Sequence, residues 1–336
     1  MFSRSLNGVP TCGSPGLLNT ILRDQWKFDG FVVSDYDAWA SMLNNLYHHV
    51  ASMVDVAAEG LNAGLDQEGG GDKAISQLPA AIGAGKTTVE KVQTALRRLF
   101  RVRIRLGMLD PPNTVPYDRI TASTLQSAPH MKIARDTALA SMTLLKNKGA
   151  KTAKALPLDP KSFTEPGSLA LIGPQAMMAG LLMGNYAESA AAGNWGDTIL
   201  HAVMERLDHD VGLRAVAYAA GCQDIDCGNT DGFHQALAVA SKAQTIVVLL
   251  GLGANHIGGH PPGWNEEAWT PGPGGESFEG EGHDRSAIEL PGNQSALVAS
   301  LRDANPTKTI VGVLIHGGTL ALGAAGEQLD GILSAW

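Results

Sequence analysis

Two kinds of hydrophobic pattern divide the chain. In the second part, short continuous apolar runs alternate with stretches of helical periodicity. The runs cover residues 169–173, 215–221, 245–252, 309–318 and 331–336. The helical stretches lie near 197–207, 231–242 and 292–303. Continuous apolar strands separated by helices are typical of a parallel sheet covered on both faces. The pattern therefore predicts an α/β domain over residues 165–336.

The first part, residues 1–125, contains fewer strands and more helices. An apolar strand at 31–34 precedes a helical stretch over about 38–60, and "NAGLD" (62–66) is predicted to be a short strand or turn. Two more helices are predicted for about 73–84 and 88–106. Thr87-Thr-Val-Glu90 has the form of a capping box at the start of the latter. Residues 126–164 are predicted to be a linker with one helix at about 129–146.

Composition and charge narrow the classes of function. The 336 residues carry a formal net charge of -8, so no basic surface for nucleic acid or for an anionic membrane is expected. No apolar stretch reaches the length of a membrane span. The first residues lack the apolar segment of a secretory signal peptide. We therefore expect neither a nucleic-acid nor a membrane partner.

The chain contains three cysteines: Cys12, Cys222 and Cys227. An odd number argues against a disulfide framework, although Cys222 and Cys227 could close a small loop in an oxidising compartment. No second pair of Cys or His lies at ligand spacing, so a zinc site is not predicted. We expect neither a metal nor a cofactor.

The stretch "GFVVSDYDAW" (30–39) ends a strand-like run in two acids, Asp35 and Asp37. An acid at a strand end is commonly a helix N-cap or a turn former. The carboxyl ends of strands in parallel α/β folds also collect active-site residues. For Asp35 both interpretations stay open at this point, whereas Asp37 is predicted to be the N-cap of the following helix.

A second acidic stretch, "GGESFEGEGHDR" (274–285), follows the run at 245–252. Its acids are Glu276, Glu279, Glu281 and Asp284. A solvated acidic loop is the ordinary interpretation of such a sequence. Four acids without a lysine nevertheless repel one another unless a function uses them, and a carboxylate here could face Asp35 across a domain junction.

Three further motifs do not predict binding sites. The glycines of "GLGANHIGG" do not have the spacing of a dinucleotide fingerprint. In "AAIGAGKT" (80–87), Ala80 stands where a phosphate-binding loop needs glycine. His48 and His49 are consecutive, so they point to different faces of a helix and are predicted to be surface residues.

Segments in order along the whole chain closely resemble glycoside hydrolase family 3. They include "NGVPTC", "GFVVSDYDAW", "NAGLD", "ALRRLFRVRIRLGMLDPP", "EGEGHDR", "LPGNQ" and "VLIHGG". The resemblance is strongest to the β-xylosidase branch, with β-glucosidases as the alternative. It implies the C-terminal part of a (β/α)8 barrel over residues 1–125 and an α/β sandwich over 165–336, both incomplete. The chain would then be an internal fragment of a secreted enzyme.

The resemblance also implies roles for individual residues. Asp35 matches the nucleophile at the end of the seventh barrel strand, and Asp66 would close the eighth. The general acid/base is expected in "EGEGHDR", with Glu281 favoured over Glu279. Two further residues are expected to bind the sugar: Tyr36 and Arg285.

The implied reaction is that of a retaining exo-β-glycosidase acting on xylo-oligosaccharides. One ionised carboxylate attacks the anomeric carbon and a protonated one releases the leaving group, the two standing about 5–5.5 Å apart. The chain departs from the family where relatives have Met-Cys-Ser-Tyr-Asn and it has Met1-Phe-Ser-Arg4-Ser. A non-catalytic family remnant with a binding or structural role is therefore the rival hypothesis, and the isolated chain is expected to be weak or inactive.

Overall fold

The computed structural model describes residues 5–43, 49–149, 154–178, 181, 198–211, 215–254, 278–279 and 285–335. Its contacts divide the chain into two compact units, Met1–Leu125 and Gln126–Trp336. Each unit has a hydrophobic core of its own.

The first unit combines two small sheets with helices. Its strands are β1 (Ser5–Leu6), β2 (Val9–Pro10), β3 (Val33–Tyr36) and β4 (Gln67–Gly69). Its helices are a π-helix over Gly16–Gln25, α1 (Met53–Ala63), α2 (Leu78–Gly83) and α3 (Val89–Arg105). β1 pairs with β2 antiparallel, and β3 pairs with β4 parallel. Among the described residues of this unit the parallel strands form a pair, and a closed barrel is not shown.

The helix predicted over about 38–60 is wrong over the described residues 38–43 and 49–52, which are not α-helical. Asp37 has a φ of 52°, a left-handed conformation that a helix cannot begin with, and the chain turns there. α1 starts only at Met53, where the Ser52 hydroxyl accepts the N–H of Asp55. Asp37 is therefore not the predicted N-cap. Its carboxylate instead lies 3.0 Å from Lys73 Nζ.

The predicted capping box at Thr87 is wrong. α3 is preceded by Thr88 as its cap residue, whereas the Thr87 hydroxyl donates to Asn62 Oδ1 at 3.0 Å. The pKa of Glu90 is lowered by its own backbone N–H and by the Thr88 hydroxyl. The predicted helix over 88–106 is confirmed, but it is Thr88 that interacts with Glu90.

Trp39 anchors the core of the first unit. It is 1% exposed, and its indole N–H donates to the Val56 carbonyl at 2.8 Å. A Cβ at Gly60 would lie 2.1 Å from Trp39 Nε1, so this helical position must be glycine for the ring to reach α1. The buried ring thereby joins the turn after β3 to α1.

The second unit is built on a six-stranded sheet, in which the strand Thr143–Asn147 is followed in order by Gly331–Ala335, Thr309–Ile315, Thr245–Gly251, Leu169–Ile172 and Val216–Ala219. The strands are β5 (Thr143–Asn147), β6 (Leu169–Ile172), β7 (Val216–Ala219), β8 (Thr245–Gly251), β11 (Thr309–Ile315) and β12 (Gly331–Ala335). Two short strands, β9 (Gly253–Ala254) and β10 (Phe278–Glu279), form a separate parallel pair. The helices are α4 (Ala128–Ser141), α5 (Ile199–Val211), α6 (Phe233–Lys242), α7 (Gln294–Ala304) and α8 (Ala324–Gln328). The five predicted strands and three predicted helices of this part are confirmed, as is the α/β class.

One edge of this sheet was not predicted. The helix expected over about 129–146 ends at Ser141, and Thr143–Asn147 forms β5, antiparallel to β12. Met142 has extended backbone angles, which end the helix. Leu144 and Leu145 fit a helical pattern equally well, so only the pairing with β12 selects the strand.

The core of the second unit lies between β8 and the helices. Ile246, Val248 and Leu250 on alternate positions of β8 are fully buried, and Leu297 and Leu301 of α7 belong to the same cluster. Burying each such side chain contributes about 1.5–3 kcal/mol. Within the described ranges, no helix combines the length and apolar character needed to cross a membrane.

Candidate active site

Asp35 lies in β3, close to its carboxyl end. The neighbouring Ser34 is buried, and its hydroxyl accepts the N–H of Gly69 in β4 at 2.9 Å. Because side chains alternate along a strand, Asp35 points to the other face, where it is half-buried. Its Oδ1 accepts the N–H of Tyr36 at 2.8 Å. The strand therefore ends in a carboxylate at the edge of the core.

Cys12 is a neighbour of Asp35 that the sequence did not reveal. The thiol is buried and is not part of a disulfide. Burial, and next the charge of Asp35, raises the pKa of Cys12 to about 11. The thiol therefore stays protonated at neutral pH. No local sequence signal could have shown this proximity, because the two residues are far apart along the chain.

Tyr36 presents an exposed aromatic ring next to Asp35. The residue is 77% exposed, and its ring lies against Gly70. Gly70 has a φ of +85°, and a Cβ there would lie 2.8 Å from Tyr36 Cδ1. Glycine is needed here both for its backbone conformation and for the approach of the ring.

Asp66 has a different environment from the one expected. Gly64 ends α1 with a φ of 116°, and β4 begins only at Gln67, so Asp66 precedes a strand instead of closing one. Its side chain has no exposed surface and lies 2.6 Å from Arg23 and 3.0 Å from Arg98. It also accepts the N–H of Val32 at 2.8 Å. These contacts give it a structural role in holding β3.

A cavity of about 650 Å³ in the first unit is lined by residues of α1 and its surroundings, including Asp55, Glu59 and Lys86. Lys86 forms an ion pair with Asp55, and Glu59 lies 2.6 Å from His49 Nε2. Asp35 is not among the lining residues. The acids Asp55 and Glu59 of this cavity are therefore engaged with nearby bases. His48 lies outside the described residues.

Glu279 is the acid of the "EGEGHDR" stretch that the structure describes. It belongs to β10, paired with Ala254 of β9. Its carboxylate accepts the backbone N–H groups of Gly317 and Gly318, the latter at 2.6 Å. The other acids of the longer stretch "GGESFEGEGHDR" lie outside the described residues: Glu276, Glu281 and Asp284.

Arg285, at the end of the same stretch, contacts main-chain carbonyls. Its guanidinium donates to Thr319 at 3.1 Å and to Glu289 at 3.0 Å. Nearby, His316 contacts the Gly318 carbonyl through Nδ1 at 2.7 Å and the Ser334 hydroxyl through Nε2 at 2.9 Å. A carbonyl only accepts, so Nδ1 carries the proton in this arrangement. The segment after β11 is thus held by several side chains.

Cys222 and Cys227 form a disulfide. The loop that they close packs at the start of α7, where the Asn293 side chain donates to the Cys227 carbonyl at 2.8 Å. In the part of the chain that the structure describes, no three His, Cys, Asp or Glu side chains are grouped so that they could hold a metal ion.

Comparison with known proteins adds two family matches. Residues 1–102 match the model "Glycosyl hydrolase family 3 N terminal domain", and residues 142–336 match "Glycosyl hydrolase family 3 C-terminal domain". The chain is 32% identical over 324 residues to "Probable beta-D-xylosidase 7" of Arabidopsis thaliana, covering 96% of this chain and 37% of that protein. It is 32% identical over 321 residues to an exo-1,4-beta-xylosidase of Aspergillus terreus, named as probable, covering 94% and 35%.

Solved structures give a similar result for the fold. An exo-beta-xylosidase bound to a xylobiose aziridine probe matches with a TM-score of 0.75 at 24% identity, over 98% of this chain and 38% of that one. A beta-glucosidase from Listeria innocua matches with a TM-score of 0.74 at 21% identity, over 99% and 40%. The chain thus spans little more than a third of the length of the curated relatives described above.

Proposed function

The chain belongs to glycoside hydrolase family 3, and from that membership we propose that it carries the catalytic carboxylates of a retaining exo-β-glycosidase. The substrate class that we propose is β-xylosides, in particular xylo-oligosaccharides. The relatives named as β-xylosidases support this choice, since they match nearly the whole chain.

The observation that carries the proposal is the position of Asp35. Its carboxylate is half-buried at the carboxyl end of a parallel strand, beside the exposed ring of Tyr36. It does not cap a helix, because the left-handed turn at Asp37 follows it. An acid at a strand end next to an aromatic surface is suited to attack on a bound sugar.

In the proposed mechanism Asp35 attacks the anomeric carbon and forms a covalent glycosyl–enzyme intermediate. Glu281 protonates the leaving oxygen and then acts as the base that activates water. Both steps use carboxyl groups alone, so the mechanism requires neither a metal nor a cofactor. Tyr36 is proposed to contact the sugar.

We further propose that Met1–Leu125 corresponds to the C-terminal part of a (β/α)8 barrel, and the second unit to an α/β sandwich. The β3–α1–β4 sequence supports the former, since it is a parallel β-α-β unit of the kind from which barrels are built. The Cys222–Cys227 disulfide supports a secreted, oxidising location.

β-Glucosidase activity is the second candidate. It is favoured by the solved β-glucosidases whose folds match with TM-scores of 0.72 to 0.74. The third possibility, a family member without activity, follows from the residues at the start of the chain that differ from the family pattern.

An assay with aryl β-xyloside and aryl β-glucoside tests these alternatives. We expect weak turnover with a higher kcat/KM for the xyloside, and NMR of the first product should show retained β configuration. A higher kcat/KM for the glucoside would instead support the β-glucosidase. A folded chain that hydrolyses neither substrate would contradict both and support the inactive family member.

A further inference from the structure

We propose that Glu279 and Arg285 are positioning residues that clamp the two ends of "EGEGHDR", the stretch whose sequence contains the proposed acid Glu281, onto the main chain after β11. The inference rests on the proposed function for the role of Glu281. The clamp itself is argued from described residues alone.

The first anchor joins the ends of two neighbouring strands. β10, which contains Glu279, pairs with β9, and β9 directly follows β8. Gly317 and Gly318, which donate to the Glu279 carboxylate, follow β11 after His316. Since β8 and β11 are hydrogen-bonded neighbours in the sheet, Glu279 is fixed at the carboxyl edge of this strand pair.

Both glycines lie close to the Glu279 carboxylate. A Cβ at Gly317 would lie 3.3 Å from Glu279 Oε1, and one at Gly318 would lie 3.0 Å from Oε2. Neither glycine is among the described residues with a positive φ, so backbone freedom does not explain them. A side chain at either position would crowd the carboxylate. The two glycines thus form a cradle for Glu279.

The second anchor is Arg285, six residues after Glu279. Its guanidinium donates to the Thr319 carbonyl, while His316 contacts the Gly318 carbonyl. In the segment 317–319, backbone N–H groups therefore donate to Glu279, while the carbonyls accept from Arg285 and His316. The hydrogen bonds of the Glu279 carboxylate and of the Arg285 guanidinium are charge-assisted, and such bonds are about twice as strong as neutral ones. The two ends of the acidic stretch are attached to the same short piece of backbone.

This geometry separates the roles of the two glutamates. Both oxygens of Glu279 accept main-chain N–H groups, so we assign Glu279 the anchoring role and leave proton donation to Glu281, as in the proposed function. Glu281 follows two residues later, a chain length of about 7 Å at most. Glu279 is therefore proposed to act on catalysis through its neighbour in the sequence, as a positioning residue does.

Amide hydrogen exchange in the whole chain tests the clamp without reference to activity. In Glu279→Gln the side chain keeps its size, but one acceptor oxygen becomes an NH2 group that faces a donor. We expect the Gly317 and Gly318 amides to exchange about tenfold faster or more. Glu327→Gln, which removes an exposed acid of the same unit, should leave them unchanged. Unchanged exchange in Glu279→Gln would overturn the clamp.

Kinetics distinguish positioning from proton donation. We expect Glu279→Gln to lower kcat about 10 to 100-fold on substrates with poor leaving groups, because a misplaced acid donates its proton less efficiently. The acid is still present, so the fall of kcat at alkaline pH should remain. Glu281→Gln should abolish this fall of kcat at alkaline pH. Gly318→Ala should behave as Glu279→Gln does, whereas Gly228→Ala, with open space around its Cβ, should not.

The outcomes are separable. If kcat of Glu279→Gln no longer falls at alkaline pH, Glu279 is the general acid and the inference is overturned. If the unaltered chain has no glycosidase activity, the proposed function fails, and the exchange of the Gly317 and Gly318 amides still decides whether the clamp exists.

Discussion

The carboxylate of Asp66 lies 2.6 Å from the guanidinium of Arg23, in a position where the acid has no exposed side-chain surface. Arg98 approaches the other oxygen at 3.0 Å. Burial lowers the pKa of Arg23, and the charge of Asp66 opposes that shift. Asp66 therefore compensates the positive charges of Arg23 and Arg98 next to β3.

Replacing Asp66 by Asn should destabilise the first unit by about 3–5 kcal/mol, because it leaves Arg23 as an uncompensated, mostly buried charge. Urea unfolding followed by the labelling of Cys12, which belongs to this unit, measures the change. Asp29→Asn is the matched control, since Asp29 pairs with Arg105 in an exposed ion pair and its removal should shift the midpoint little. Equal effects of the two variants would contradict a special role for the buried pair.

Cys12 should titrate with a pKa of about 11, and a chain with Asp35→Asn should show a lower value. Burial is the larger cause, so the pKa in that variant should still exceed 9.0, its ordinary value. The ultraviolet absorbance of the thiolate, with Cys12→Ser as the blank, measures both. An unchanged pKa in Asp35→Asn would show that the two side chains are not coupled.

The same shift predicts how stability depends on pH. Between pH 9 and about 11 the folded chain keeps the Cys12 proton that the unfolded chain has lost. The unfolded state then binds fewer protons, so the free energy of unfolding falls as pH rises through this range. Cys12→Ser should lose that part of the pH dependence.

Gly70→Ala should destabilise the first unit by more than the roughly 1–2 kcal/mol that left-handed backbone costs a non-glycine residue. The excess comes from the Cβ that would meet the Tyr36 ring. Gly85→Ala shares the positive φ but has open space, so it should show the backbone cost alone. Gly71→Ala has neither feature and should be close to neutral. Thermal unfolding of the three variants tests this order.

The denatured chain should contain one reactive thiol before reduction and three after it, as counted by alkylation and mass spectrometry. Opening the short loop by Cys222→Ala should destabilise the second unit by about 2 kcal/mol in the loop-entropy model. Cys12→Ala serves as the control for losing a cysteine and should not change the stability of the second unit.

Asp35→Ala should lower kcat at least about a thousandfold if Asp35 is the nucleophile. Added azide should restore part of the turnover by direct attack and give a glycosyl azide of inverted configuration. In Glu281→Ala, azide should instead attack the covalent intermediate and give a β-glycosyl azide. Asp37→Ala, which removes the ion pair with Lys73 and adds some backbone strain at the left-handed φ of this residue, should keep most of the activity. If azide restored turnover in Asp37→Ala and not in Asp35→Ala, the nucleophile would be Asp37.

Much of the second unit could be predicted from the sequence, because a strand buried on both faces must be a continuous apolar run. Val248 and Leu250 are in such a run, and the order of strands and helices follows from it. β5 could not be predicted in this way. Its Leu144 and Leu145 are both more than half exposed, so burial left no pattern to distinguish strand from helix.

The sequence by itself determined the family, the α/β class and the candidate carboxylates, since these depend on local composition and on motifs read in order. Only the tertiary structure decided that Asp66 is an ion-paired core residue and that the charge of Asp35 raises the pKa of Cys12. It also decided that Glu279 accepts the N–H groups of Gly317 and Gly318. Each of these relationships joins residues distant in the chain. The partner of a carboxylate depends on which segments the folded backbone brings within hydrogen-bond distance, and no local pattern contains that information.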